Sequence, residues 1–499
     1  MSGWAPYQQR EAALGALEAK IAAAPDAIEP RFERANLLVE LGRNDEARAA
    51  YLELLHRAPT HAGALNNFGT LLHATGYRDA ARTAYAQAVA EHPDQPMGHV
   101  NLANLLLEDG ELDLARTHYE TALGLAPDHA AAHQGLGNLL AELGEAAAAR
   151  EHRRRGFERQ ALTTLPYRGA GTPLSLLLLV SAEGGNIPLR PLLDDRTFLT
   201  HVIVAEHFDA AAPLPAHALV FNSIGDADLC RPALAAAEAI LARTSAPVLN
   251  PPAKVAPTGR IDNAARLGTL PDVITPRMAS LARAVLLGAD APDRLAELGL
   301  HFPLLLRAPG FHTGRHFVRV ERAEDLTAAV ATLPGEALTA IEPLPAQSAD
   351  GLWRKYRVML VGGGLYPLHL AVSRHWKVHY FTAAMAEDAA FRQEEAAFLA
   401  DMPQALGPRA RAALAAVRDT LGLDYAGIDF ALDREGRVLL FEANATMVVN
   451  PPDPDPRFAY RRAAVERIHA AVRSMLIERS RSQTHKRDSP GGRDVIQAP

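Results

Sequence analysis

Three oxygen-bearing side chains near the end of the chain, Asp429, Glu442 and Asn444, are spaced for shared chemistry. They lie in YAGIDFALDREGRVLLFEAN, residues 425–444, where two alternating runs flank the turn residues Asp433 to Gly436. That is the pattern of an antiparallel β-hairpin. If Leu432 pairs with Arg437, Asp429 faces Leu440 and sits diagonal to Glu442, with Asn444 two residues further along the same face. Ile428, Phe430, Leu432, Leu439, Phe441 and Ala443 then form the opposite, apolar face. Two carboxylates within about 7 Å on a largely apolar face repel, so one takes a proton or a cation lies between them. Two acids and an amide oxygen form an oxygen-only set, which suits magnesium held partly by substrate phosphates rather than zinc. The competing reading is a solvated hairpin with scattered acids.

Basic residues upstream argue for a phosphate. In FPLLLRAPGFHTGRHFVRV the pattern predicts a strand over 302–306, then Arg307, then a turn, then a strand over 316–320. Backbone N–H groups freed by Gly310 and Gly314, with His312 and Thr313 nearby, would fold over phosphates as a hairpin lid. Many hairpins carry the same glycine spacing without that role. ALTAIEPLPA predicts a strand ending at Glu342, with Pro343 and Leu344 as an apolar hinge for a base. The stretch GLWRKYRVMLVGGGLYPLHLAVSRHWKVHYF predicts two strands around Gly362 to Gly364, carrying Arg357, His369, Arg374, His375, Lys377 and His379. So many basic groups suit an anionic substrate or a transferring phosphoryl group, unless they form a solvated basic face. Lys254 and Arg260 precede a helix after a strand that ends at Asn250.

The elements that must position these residues come from a chain of 499 residues, enough for two to four domains. A formal charge of −7 and the lack of a basic tract in the body argue against general nucleic-acid binding. The single cysteine, Cys230, excludes internal disulfides and cysteine-cluster metal sites and fits a reducing compartment. MSGWAPYQQREAA has no apolar core of a signal peptide, and LSLLLLV is too short to span a bilayer, so a soluble, cytoplasmic protein without membrane partners is expected. Only five of the 51 basic residues are lysine, and three of them, Lys254, Lys355 and Lys377, fall in the segment assigned to phosphate chemistry.

From Pro25 the sequence repeats every 34 residues. Pro25, Pro59, Pro93 and Pro127 fall in step, as do Gly42, Gly76, Gly110 and Gly144, and Ala47, Ala81, Ala115 and Ala149. Tyr51, Tyr85 and Tyr119 mark the second helix of three repeats. The period, the glycine between helices and the small residues at the crossing resemble tetratricopeptide repeats. The implied layout is a capping helix (1–24), four repeats (25–160), a linker (161–173), a preliminary α/β domain (174–249), an α+β domain (250–477) and a disordered tail (478–499). The multidomain fold class is thus an all-α superhelix followed by α/β and α+β domains. First helices line the concave wall of such an array, and Asn67, Asn101, Asn104 and Asn138 recur there at spacings of 34. Their amides can grip a peptide backbone, or they are polar positions on a solvated face.

The order LNPPAK, FPLLLR with its glycine loop, IEPL, WRKYRVMLVGG, AGIDF and FEAN resembles the ATP-grasp superfamily, in particular the branch with glutathione synthetase and the ribosomal-protein glutamate ligases. The resemblance covers residues 250–451. It implies ATP and magnesium. Lys254, Arg307 and the loop with Gly310, His312, Thr313 and Gly314 would lie on the nucleotide phosphates, Arg307 standing where the family usually has a second lysine. Glu342 and Leu344 would border adenine. Arg357 would meet the transferred phosphoryl group, to which the basic cluster read from the strands adds Arg374 and Lys377, and Asp429, Glu442 and Asn444 would hold the metal. The activity implied is an ATP-dependent carboxylate–amine ligase acting through an acyl phosphate on a small-molecule amine or carboxylate, with the repeats recruiting a peptide or protein. Two rivals stand beside it: a repeat-bearing adaptor with a non-catalytic nucleotide domain, and a small-molecule kinase.

Overall fold

The computed structural model of the chain describes residues 7–158, 160–189, 192–310, 316–378, 383–450 and 455–481. It divides into two compact units, Met1–Leu176 with Asp194–Ala216, and Leu177–Leu193 with His217–Pro499. Among the described residues no helix is long and apolar enough to cross a membrane.

In the first unit, α1 (Tyr7–Ala23) precedes four helix pairs. They are α2 (Glu29–Glu40) with α3 (Asn44–Arg57), α4 (Ala62–Ala74) with α5 (Arg78–Glu91), α6 (Pro96–Glu108) with α7 (Leu112–Leu125), and α8 (Ala130–Glu142) with α9 (Ala146–Phe157). Each pair turns at Gly42, Gly76, Gly110 or Gly144, with φ of 73°, 87°, 78° and 81°, a region that only glycine enters cheaply. The periodic alanines 47, 81, 115 and 149 are buried, and one continuous core runs from Leu14 to Ala149. No helix pair could cover its apolar stripe alone, so the repeats stack.

A polar tie recurs inside each pair. Tyr51 Oη donates to Asn36 Oδ1 (2.5 Å), Tyr85 Oη to Thr70 Oγ1 (3.2 Å), Tyr119 Oη to Asn104 Oδ1 (2.6 Å) and Arg153 Nε to Asn138 Oδ1 (3.4 Å). A buried phenol must find such a partner. The two later pairs also carry facing histidines, their rings tilted by 39° and 44°: Nδ1 of His99 lies 2.9 Å from Nδ1 of His118, and the His133–His152 pair repeats that distance. Nε2 of His99 meets Pro93 O at 3.0 Å and Nε2 of His133 meets Pro127 O at 2.9 Å, so these nitrogens donate, the Nδ1 atoms of His99 and His133 accept, and those of His118 and His152 donate to them.

After the array come β1 (Leu162–Thr164), β2 (Leu174–Val180) and β3 (Phe198–Val204). β1 pairs antiparallel with β3. The stretch 161–173, expected as a linker, therefore holds a strand, and Arg168 fastens it by donating to Glu40 O (2.6 Å) and Val39 O (3.1 Å) at the carbonyl end of α2 while pairing with Asp195.

The second unit begins its strand pairing with β4 (Leu219–Asn222) and β5 (Val248–Leu249), which run parallel across α10 (Arg231–Leu241). Two short helices follow, α11 (Pro252–Val255) and α12 (Arg260–Leu267), then β6 (Val273–Ile274) and β7 (Met278–Ala282). Next are α13 (Arg283–Leu286), α14 (Ala291–Glu297), β8 (Leu304–Arg307), β9 (Phe317–Val320), α15 (Leu326–Ala331) and β10 (Ala337–Ile341). Then come the long β11 (Trp353–Val361) and β12 (Gly364–Ser373), α16 (Ala389–Ala400), α17 (Met402–Leu421), β13 (Tyr425–Leu432), β14 (Val438–Asn444) and the closing α18 (Arg462–Arg481). The strands form one antiparallel sheet of order β7-β10-β8-β9 and a mixed one of order β12-β11-β13-β14-β6. Arg374, His375 and Lys377, expected within a strand, lie past its end at Ser373.

The hairpin register differs from expectation. Leu432 pairs with Val438, not Arg437, because Gly436 at φ 76° lengthens the turn by a residue. Continued regularly, that register would put Phe441 opposite Asp429 and turn Glu442 into the core. A β-bulge between Asp429 and Phe430 absorbs Phe441 as an extra residue, so Glu442 stands directly opposite Asp429 rather than diagonal to it, and Asn444 opposite Gly427. Leu440, not Leu439, therefore pairs with Phe430 on the core face, while Leu439 and Phe441 cluster with Leu344 and Ala431.

Candidate active site

The two sheets of the second unit enclose a cleft of about 940 Å³. Register places its floor and roof. On the mixed sheet, His369, Arg357, Asp429 and Glu442 stand side by side on β12, β11, β13 and β14, one unbroken cross-strand row of ionisable groups. On the other sheet, Met278, Ile341, Leu305 and Arg319 form an apolar row that ends in a cation, and Ser280, Thr339, Arg307 and Phe317 form a polar row beside it. A second cavity of about 420 Å³ lies along Ser280, Thr339, Asp226 and Asp228. Arg260, Arg307, Phe441, Glu442 and Thr446 line both.

Asp429 is 4% exposed and doubly held: Arg357 Nε donates to Oδ1 at 2.5 Å and Nη2 to Oδ2 at 2.7 Å, with Lys355 Nζ 3.2 Å from Oδ2. Burial alone would raise its pKa, but Arg357 and Lys355 outweigh it and hold the carboxyl far below the usual range. Glu442 Oε1 accepts from Arg260 Nη2 at 2.5 Å and from Asn444 Nδ2 at 2.7 Å. Its pKa too is lowered, burial being overcome by Arg260 and Arg307. Burial, then the neighbouring Arg357, drive the His369 pKa well below that of free histidine, so this ring is neutral. Arg307 feels the same burial, which lowers its pKa.

The donor set fits magnesium. Two carboxylates directly opposite on paired strands are oxygen donors of the kind a hard cation takes, and Asn444 two residues on would join them once its Oδ1 leaves Thr446, whose N and Oγ1 donate to it at 3.0 and 2.9 Å. Among the described residues no group of three or more His, Cys, Asp or Glu gathers as a cation cage. Four cations, Arg260, Arg307, Lys355 and Arg357, surround the two carboxylates, so the centre carries surplus positive charge and suits a polyanion.

The structure brings Arg307, Glu342, Leu344, Arg357, Lys377, Asp429 and Glu442 to the large cleft, and Gly310 and Asn444 to the smaller cavity. Lys377 Nζ donates to Phe317 O at 3.1 Å, and Glu342 accepts from the backbone N of Arg277. Lys254 is not brought there: it is exposed on α11 and lines neither cavity. Arg374 also points elsewhere, to Asp388 at 2.9 Å and over the Phe391 ring. His312, Thr313 and Gly314 lie outside the described residues, as do Arg315, His379, Pro451 and the tail 482–499. Sequence reasoning noted Arg260 beside Lys254 but gave it no place in the site, which it enters from the first turn of α12, and it missed Arg319. The alternation Phe317–Arg319 on β9 could have flagged the latter; nothing local flags the former.

In the array, Asn104 and Asn138 turn their oxygens to Tyr119 and Arg153 in the polar ties, while Asn67 donates to Asn36 Oδ1 at 2.8 Å and Asn101 to Asn66 Oδ1 at 3.2 Å. Asn67, Asn104 and Asn138 remain exposed, so only part of each amide is engaged within the array.

Comparisons with known proteins bear on the array alone. The tetratricopeptide-repeat family matches residues 8–62, 32–96 and 100–155. Among solved structures, a MamA crystal structure is 20% identical, covering 30% of this chain and 87% of its own, at a TM-score of 0.27. MamA from Desulfovibrio magneticus RS-1 is 23% identical over 30% of this chain and 84% of its own, with a TM-score of 0.27. A thermophilic TPR protein of Thermus thermophilus is 20% identical over 31% of this chain and 84% of its own, again at 0.27. No curated protein matches the chain. The N-terminal array is built of tetratricopeptide repeats, which are protein-interaction modules.

Proposed function

We propose that the second unit is an ATP-grasp domain of the glutathione synthetase and ribosomal-protein glutamate ligase type, working as an ATP-dependent carboxylate–amine ligase. The repeats recruit its peptide or protein substrate. The observation that carries this reading is the row Arg357–Asp429–Glu442 on the floor of a cleft between two sheets. Adenine lies on the apolar row of Met278, Ile341 and Leu305, beside Glu342 and Leu344, and its phosphates run toward Arg307. A substrate carboxylate oxygen attacks the terminal phosphorus and ADP leaves. The amine then attacks the acyl carbon, inorganic phosphate departs, and an amide remains. Arg307, Lys355 and Arg357 face the phosphoryl group and spread its charge, a contribution worth several kcal/mol in a water-poor site. Asp429, Glu442 and Asn444 would hold magnesium, which when bound supplies Lewis-acid charge to the phosphate oxygens.

Two observations favour the adaptor alternative: Lys254 stands outside the cleft, and arginines cap both carboxylates. A small-molecule kinase would use the same floor but keep the phosphoryl group on its product. Phosphate release from ATP, measured with a captured array ligand and a panel of amines, separates the three. Amine-stimulated release with a mass gain on the acceptor is expected. A phosphorylated product would instead mark a kinase, and absence of ATP binding an adaptor.

A further inference from the structure

The geometry points to a site where the polyphosphate binds first and without a divalent ion, the arginines holding the metal's place until the anion arrives. This rests on the reading of the cleft as a nucleotide site. Both oxygens of Asp429 are engaged, by Arg357 at 2.5 and 2.7 Å and by Lys355 at 3.2 Å. Glu442 Oε1 is engaged by Arg260 at 2.5 Å and Asn444 at 2.7 Å. A bare divalent cation entering here would have to displace two guanidinium groups whose side chains are only 20% and 21% exposed. Both would be left as buried charges without an anion, beside a newly added dication, and such a state is strongly disfavoured. A polyanion reverses every sign. It offers Arg260, Arg307, Lys355 and Arg357 replacement oxygens, and the carboxylates they release would then be available to hold a divalent cation. Arg260 is the pivot, because it touches Glu442 and lines the smaller cavity beside it. Nucleotide and metal should therefore bind with positive cooperativity in a fixed order, anion before cation.

The test is nucleotide binding rather than turnover. Titrating ATP into the full chain in EDTA and then in excess magnesium, by calorimetry, should give metal-free affinity within about tenfold of the metal-bound value. Arg260→Gln should weaken the metal-free affinity about tenfold or more, since it removes a charge-assisted contact. Glu442→Gln should act in the opposite sense. Relieved of its competing carboxylate, Arg260 turns to the phosphates, so metal-free ATP binds about threefold tighter or more while the response to magnesium disappears. If ATP binds only with magnesium, or if Glu442→Gln weakens metal-free binding, the proposal falls while the nucleotide reading stands. If ATP binds under neither condition, both fall.

Discussion

The repeat array and the two-sheet cleft handle their buried polar groups in opposite ways. In the array they meet modest, mostly uncharged partners, and the arrangement recurs: the ties at Asn36, Thr70, Asn104 and Asn138 fall at a spacing of 34 residues. In the cleft the charged groups occur once, in excess of one sign, and converge from β8, β11, β13, β14 and α12. Repetition spreads stability over many equivalent contacts. Convergence concentrates function in a few irreplaceable ones, at the expense of stability.

The largest effect should come from the cleft. Asp429→Ala leaves Arg357 and Lys355 buried without their anion and should destabilise the second unit by about 3–5 kcal/mol in denaturant melts. Glu442→Gln, at a carboxylate whose side chain is 27% exposed against 5% for Asp429, should instead abolish ATP turnover with the melting temperature nearly unchanged. Equal loss of stability in both would erase the distinction between a structural and a reacting carboxylate. Next is a packing change in the array. A methyl at Gly69 would come 2.5 Å from the Tyr85 ring, so Gly69→Ala should cost about 1–3 kcal/mol, read as hydrogen exchange rising in α4 and α5. Less than that would mean the tyrosine swings aside.

A pH effect should follow in the array's last two pairs. Burial, then the facing His99 and His133, lower the pKa of His118 and His152, so the folded state prefers them neutral. Their contribution is full above the unfolded value of about 6.5 and is lost as pH falls below it, because the unfolded chain takes up protons first. Exchange protection in α7 and α9 should drop on acidification to about pH 5, and His118→Gln should flatten that drop. The smallest effect is a single tie: Tyr119→Phe should cost about 0.5–1.5 kcal/mol and leave ATP turnover untouched.

This contrast also governs what the sequence could disclose. A period of 34 is visible without any contact being known, so the helix pairs, the turn glycines and the buried alanines were all legible. The acidic trio was legible as far as its face, but for the wrong register. A longer turn and a bulge each reverse the side Glu442 takes, and together they cancel and leave it on the expected face. What could not be read is convergence from distant segments. Arg260 lies 182 residues before Glu442, and no local pattern joins the two, whereas Lys254, assigned by the family resemblance, sits on a four-residue helix and lines neither cavity. Arg374 was assigned by strand alternation, which ends one residue before it, at Ser373.

The bulge at Phe441 also has a meaning for how such a hairpin tolerates change. Dropping that residue would let Leu440, Glu442, Ala443 and Asn444 keep the cross-strand partners they already have. The aromatic ring is thus a passenger the ladder neither requires nor resents, a place where ligand preference can drift while the oxygen donors stay in step.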